Sequence, residues 1–583
     1  MTSRLLLTLA LVASAAHADQ FRRFQRNTTA PLAFFEFAPA SGAGLGSPCS
    51  PPNWVTSSET FNSGWTLANS VAALPVVTAD FGVAPDGTTT ADRVQFAATS
   101  GTQFSFLFQS AATIASGWPA TGSVYIKGNG TSGTINLGLQ TPVITSLCNY
   151  NATTWTRCSI SYTANSASTS FVIGNDSFNT GGVVFAANDV LLWGGMVNVG
   201  STPAPYVKTV AAYVGPPVTG AKGEAVTWTR ASGAMCTRSA SESSIANGDL
   251  VYTANNQPRV MSLGGPLGVL VESSRTNNLI QSQAIDNASW SKSQNGTPGL
   301  PVATVDQTTA PDGTVSAERV VYPTTGAAQS SFTGQTGGCG ATVGPKAGTV
   351  YVKGNGASGT IDVCIDFPMA CSSCNYTSTS WTRCSAINSN SASAHNFYVG
   401  NMTNQTTIAR AANDVFVWGA QCEDGAYATS YSPTVASATI RSADQGSFTI
   451  SSGFTTKFSA SLTARLPLSV LANADVLYAA GAGSVFEMSL PSVTQFKNYV
   501  STPLVSSTAA TATTANTTNG VAGYFDGTNV GACVNGSCTN TAGAPVLPAL
   551  PWTVNIGGFS STSFNSDSII SLVKIDPDSS RCR

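Results

Sequence analysis

The chain has 583 residues, and 26 Lys and Arg against 28 Asp and Glu give it a formal net charge of −2. Charged residues make up only 9% of it, far below the roughly 25% of an ordinary soluble protein. With no extended field of Lys and Arg to neutralise phosphates, nucleic acid is not an expected partner.

At the start of the chain, Arg4 precedes the apolar run Leu5–Ala13, and Ala16-His17-Ala18 supplies small residues around a cleavage site. This order predicts a signal peptide over residues 1–18, with the run too short to span a bilayer. Residues 19–50 read as a tail, in which Arg22, Arg23 and Arg26 form a solvated basic cluster. No later segment is long and apolar enough to be expected to cross a membrane. Thirteen cysteines in an exported chain imply disulfides, and the odd count leaves at least one thiol free or paired between molecules.

From residue 51 onward the chain repeats itself. Ala84-Pro85-Asp86-Gly87 returns as Ala310-Pro311-Asp312-Gly313, and Val124-Tyr125-Ile126-Lys127-Gly128 as Val350-Tyr351-Val352-Lys353-Gly354. Cys148-Asn149-Tyr150 with Trp155-Thr156-Arg157-Cys158 returns as Cys374-Asn375-Tyr376 with Trp381-Thr382-Arg383-Cys384, and Trp193-Gly194 as Trp418-Gly419. Such register defines two copies of one module, residues 51–213 and 281–437, joined by a segment over 214–280 and followed by a region over 438–583. Within each copy, short runs of Val, Ile, Phe, Tyr and Thr are punctuated by Gly, Asn, Ser and Pro. The expected fold class is all-β: tandem jelly-roll β-sandwiches of two antiparallel sheets each, with little helix.

Gly128-Asn129-Gly130-Thr131-Ser132-Gly133 and its copy at 354–359 match the dinucleotide fingerprint. The following Thr134–Leu139 alternates like a strand, so each is read as a hairpin turn and no nucleotide cofactor is expected. Cys148 is expected to bond Cys158, Cys374 to bond Cys384, and Cys533 to bond Cys538 around the Asn535-Gly536 turn. Cys339, Cys364, Cys371 and Cys422 have no counterparts in the first copy, so at least one further bridge is expected there. Cys371-Ser-Ser-Cys374 lacks the second ligand pair that a zinc site needs, and no metal is expected.

Between the copies, Thr229-Arg230-Ala231-Ser232, then Pro258-Arg259, then Leu270-Val271-Glu272-Ser273-Ser274-Arg275-Thr276-Asn277 follow in order. This resembles a segment of phage tail-fibre and related virion proteins that precedes a carbohydrate-binding-like jelly roll. Trp290, Ala310-Pro311-Asp312-Gly313, Trp381-Thr382-Arg383 and Asp414–Gln421 fall in that family's order. Thr439-Ile440-Arg441-Ser442-Ala443-Asp444 is similar to the stretch that opens its concanavalin A-like domain. The resemblance implies a concanavalin A-like or laminin-G-like sandwich over 438–583, to which 214–280 contributes, and a glycan as ligand. The signal peptide and the heavy cysteine use depart from that family.

After loss of His17 the only histidine is His395, in an alternating stretch where a strand-surface place is expected, so histidine-based triads and zinc sites have no raw material. No pair of carboxylates is nominated for glycoside hydrolysis, and Glu272 with Arg275 reads as a structural ion pair or a network with Arg259. The chain is therefore expected to be a non-catalytic, secreted glycan-binding protein. Its partner would be a polysaccharide or cell-surface glycan, with the oligomeric state left open. A structural surface or fibre subunit, and a polysaccharide hydrolase or lyase, are the alternatives. Duplicated tryptophans (Trp65 and Trp290, Trp155 and Trp381, Trp193 and Trp418) are assigned to core. Trp118, on a Gly-Pro loop whose counterpart lacks an aromatic, is the candidate sugar-stacking residue.

Overall fold

The computed structural model describes most of residues 53–576, together with 33–36. Residues 1–32, 37–52, 112–118, 140–143, 164–168, 200–202, 210–217, 451–456, 466–473, 557–567 and 577–583, with several shorter stretches, lie outside the description. The signal-peptide and basic-tail readings fall there.

Strands dominate, and every named pairing is antiparallel; one short helix, Thr403–Thr406, occurs among the described residues. In the first copy one five-stranded sheet runs Thr66–Asn69, Phe104–Ala111, Thr169–Asp176, Gly133–Leu139, Ile144–Tyr150. The other runs Val76–Gly82, Ala91–Phe96, Asn188–Val199, Pro119–Gly128, Thr156–Thr163. Alternation decides which residues meet between the sheets. Leu107, Ile135, Leu137, Phe171 and Ile173 of the first sheet share a core with Val94, Phe96, Val124, Ile126, Val190 and Leu192 of the second.

The second copy has the same two strand orders: Ser291–Asn295, Ser330–Gln335, Phe397–Asn401, Gly359–Ile365, Ala370–Tyr376 in one sheet. Its other sheet is Val302–Thr309, Val315–Tyr322, Asn413–Asp424, Lys346–Gly354, Thr382–Asn388. Even the irregularities repeat. The ladder between Asn188–Val199 and Pro119–Gly128 slips between Trp193 and Met196, and the corresponding ladder slips between Thr349 and Tyr351. Gly194 and Gly419 sit at these bulges with φ of 66° and 65°, a left-handed conformation that glycine adopts without penalty.

Two eight-stranded sheets and two two-stranded ones make up the rest of the described strands. Arg259–Met261 and Gly268–Val271, from before the second copy, extend the sheet of Ser568–Asp576, Phe458–Arg465, Thr518–Phe525, Asn529–Val534 and Ser537–Ala542. Ala33–Glu36 also pairs with Ser568–Asp576. Ala225–Thr229 pairs with Gln445–Ile450 in the opposing sheet. The core between them includes Trp228, Val269, Phe448, Phe458, Leu462, Trp552 and Val573, so strands from both sides of the second copy build one sandwich.

Cys148–Cys158 and Cys374–Cys384 each join an edge strand of one sheet to an edge strand of its partner sheet. Cys533–Cys538 closes a hairpin whose Asn535 and Gly536 both have positive φ, the type I′ geometry that Asn-Gly favours. Cys339–Cys422 and Cys364–Cys371 are two further bridges confined to the second copy. Cys236 is also disulfide-bonded. Cys371 and Cys374 are thus each committed to another cysteine.

His395 departs from its expected surface place. It is wholly buried just before Phe397–Asn401, with Nδ1 at 2.6 Å from the Asp366 carbonyl oxygen. The Asp366 carboxylate meanwhile accepts from the Asn396 amide and the Tyr398 hydroxyl. The alternating pattern begins only at Phe397, so it does not set the exposure of His395.

Candidate functional site

On strand Phe104–Ala111 every second residue turns away from the core. Phe104 and Phe106 stack with ring centroids 4.7 Å apart, and Phe106 meets Phe108 edge-on at 6.1 Å. All three rings are partly exposed while the intervening Leu107 is buried. Opposite Phe106 on the next strand is Gly174, followed across the sheet by Asn136 and Leu147. Gly174 has φ 153°, and a Cβ there would stand 2.5 Å from the Phe106 Cα. Glycine is therefore required for the ladder's close backbone approach.

Asn136 is wholly buried on this outer side, and neither its amide oxygen nor its nitrogen has a hydrogen-bond partner. Such a group costs about 1 to 3 kcal/mol relative to a paired one. In the second copy the same position is Asp362, which accepts from Arg410 at 2.5 and 3.1 Å, from Ser373 at 2.8 Å and from the Met402 amide at 3.0 Å. Arg410 bridges Thr325 just as Phe185 bridges Thr99, so Phe185 holds the place of the arginine and offers Asn136 no donor. Leu147, replaced by Ser373 in the second copy, and Phe178 are half exposed or more beside this face.

The second copy has lost most of the ladder. Ser330 and Gly334 stand where Phe104 and Phe108 do, Phe332 packs edge-on against Tyr398, and the Cys364–Cys371 bridge lies across the neighbouring strands. The first copy thus presents an aromatic row beside a buried, unpaired amide, and the second a sealed, salt-bridged surface. Phe104, Phe106, Phe108 and Asn136 were not singled out from sequence; the Phe-Ser-Phe-Leu-Phe alternation was the available signal. Trp118 lies outside the described residues.

Trp65, Trp290, Trp193, Trp381 and Trp418 are buried, whereas Trp155 is only half buried. Carboxyls with displaced titration have structural duties. Glu318, pushed up to about 9 chiefly by burial, accepts from the Asp286 amide. Its counterpart Asp92, also raised chiefly by burial, accepts from the Phe61 and Asp80 amides.

The residues that carry the sequence resemblance meet at one buried point. Arg230 donates to Asp444 at 2.7 Å, Arg259 bridges Asp444 and Glu272, the latter at 2.7 Å, and Arg441 lies 3.6 Å from Glu272. Glu272 also accepts from the Ser430 amide at 2.9 Å. Arg275 lies over the Tyr427 ring instead. The cluster ties 230–272 to the end of the second copy and to 441–444, a locking role.

No protein-family profile matches the chain, and no curated protein matches it in sequence. Among solved structures, the CBM22-1–CBM22-2 tandem of Paenibacillus barcinonensis Xyn10C is similar at 10% identity, covering 66% of this chain and 100% of that one with a TM-score of 0.21. Mouse laminin α1 domains LG4-5 are similar at 10% identity, covering 40% and 83%, with a TM-score of 0.17.

Proposed function

We propose that this is an exported, non-catalytic glycan-binding protein of the phage tail-fibre-like kind, in which the first jelly roll carries the ligand site and the second does not. The observation that carries the reading is the Phe104–Phe106–Phe108 row beside an unpaired Asn136, present in one copy and dismantled in the other. Aromatic faces stack on the apolar faces of sugar rings. Five disulfides among the described residues support an oxidising compartment.

A glycan array probed with the full chain tests this. Retained glycans should be lost, by about tenfold or more in affinity, in Phe106→Ala, while Phe332→Ala leaves binding unchanged. An array with no retained glycan would favour the structural-subunit alternative, and release of reducing ends from a retained glycan would overturn the non-catalytic assignment.

A further inference from the structure

The opposite face of each jelly roll carries a second aromatic group, built alike in both copies. In the first copy Tyr125 lies 5.6 Å from Trp193, Trp193 lies 4.5 Å from Tyr206, and the Lys127 amine sits over Trp155 at 5.3 Å. In the second, Tyr351 lies 5.7 Å from Trp418, Trp418 lies 4.9 Å from Tyr431, and Lys353 sits over Trp381 at 5.0 Å. The indole nitrogens of Trp193 and Trp418 donate to Thr90 and Ser316 at 3.1 and 3.0 Å. Arg157 and Arg383 cover Tyr125 and Tyr351. The geometry is conserved between the copies; what differs is what lies on top.

In the second copy an extended piece of the chain does. Ile245 exchanges backbone hydrogen bonds of 2.8 Å with Trp381, the Arg383 amide donates to the Glu242 carbonyl oxygen, and the Leu250 amide donates to that of Pro311. Asn247 accepts from the Trp381 indole at 3.0 Å, and the Glu242 carboxylate pairs with Arg383 at 3.0 Å. Ile245, Leu250, Met235 and Tyr252 share one apolar cluster with Tyr351, Trp381, Trp418 and Tyr431, all four of which become almost wholly buried. Burial there also pushes Asp312 up to about 6, whereas its counterpart Asp86 is exposed and held low by hydrogen bonds from Thr88.

Among the described residues no bridge of this kind is made to Trp155, and Tyr125, Trp155 and Tyr206 stay partly exposed. We infer that this face of the first copy docks an extended segment of a partner polypeptide that places a carboxylate near Arg157 and an aliphatic side chain, three residues on, against Trp155. The occupied twin supplies the pattern, Glu242-x-x-Ile245, laid along the edge strand. Lys127 and Arg157 favour an acidic occupant over a basic one.

The test uses the full-length protein and a labelled decapeptide with the sequence of residues 241–250. It should bind one site per chain, and Trp155→Ala, Arg157→Gln, or Glu→Gln at the peptide's second position should each weaken it about tenfold. Melting of each variant separates a lost site from a lost fold, and Arg157→Gln keeps the test standing if Trp155→Ala unfolds. Absence of binding overturns the inference. So does binding unaffected by both substitutions but altered by Trp381→Ala, which would mean exchange with the resident segment. A glycan whose retention on the array depends on Trp155 would replace the peptide with a sugar at this face. Since the phenylalanine row is on the other sheet, Phe106→Ala should leave peptide binding intact.

Discussion

Five ionised groups buried together make the strongest residue-scale commitment in the molecule. Three arginines face Asp444 and Glu272, and several further donors reach backbone oxygens: Arg230 those of Ser232 and Thr253, Arg259 that of Met235, Arg441 that of Ser273. Removing one carboxylate would strand guanidinium charge in the interior, at about 3 to 5 kcal/mol. Asp444→Asn should therefore lower the unfolding midpoint in denaturant sharply, whereas Asp414→Asn, opposite Arg319 in a pair whose side chains are 35% and 41% exposed, should cost much less. The neighbouring arginines hold Glu272 down at about 2, against the desolvation that opposes them, and hold Asp444 below its ordinary value. A depressed carboxyl stabilises the fold above its unfolded pKa, and that contribution drains away as pH falls through about 4 toward 2. Denaturation midpoints measured across that window should fall steeply for the native chain and more gently for Asp444→Asn.

At the scale of elements, the two copies offer a controlled comparison. Cys339–Cys422 spans 83 residues of the second copy, and Val197 stands in the first where Cys422 does in the second. Closing a loop of that size is worth about 4 kcal/mol in the chain-entropy account. Calorimetry should show the second copy melting above the first, and Cys339→Ser with Cys422→Ser should bring the two transitions together; unchanged separation would mean that the bridge contributes little. The same comparison explains what was legible beforehand. The repeat, the sandwich class and the Cys148–Cys158, Cys374–Cys384 and Cys533–Cys538 positions could be read because spacing and turn chemistry are local. The phenylalanine row could not, because an alternating aromatic strand looks the same in sequence whichever side faces the core. Only the inward turn of Leu107 reveals which side is open. The unpaired state of Asn136 was further out of reach, since it depends on Phe185, in a distant part of the module, replacing an arginine.

For the whole molecule, the C-terminal sandwich depends on chain that precedes the second copy. Val269–Val271 pairs with Ser568–Ile570, Thr227–Thr229 pairs with Gln445–Ser447, and Arg275–Asn277 pairs with Thr439–Arg441. A chain beginning at residue 438 would keep the central strands Phe458–Arg465, Thr518–Phe525 and Trp552–Ile556. It would lose Trp228, Val269 and Val271 from the core and leave the Gln445–Ile450 and Ser568–Asp576 edges unpaired. It would also carry Arg441 and Asp444 without Arg230, Arg259 and Glu272. Exposed edges of this kind recruit other chains. Residues 438–583 expressed alone should therefore show a broad, non-cooperative melt and concentration-dependent association, while 214–583 should unfold cooperatively. A sharp, reversible transition from the short chain, with no association, would show that the strands from 214–280 decorate the sandwich without completing it.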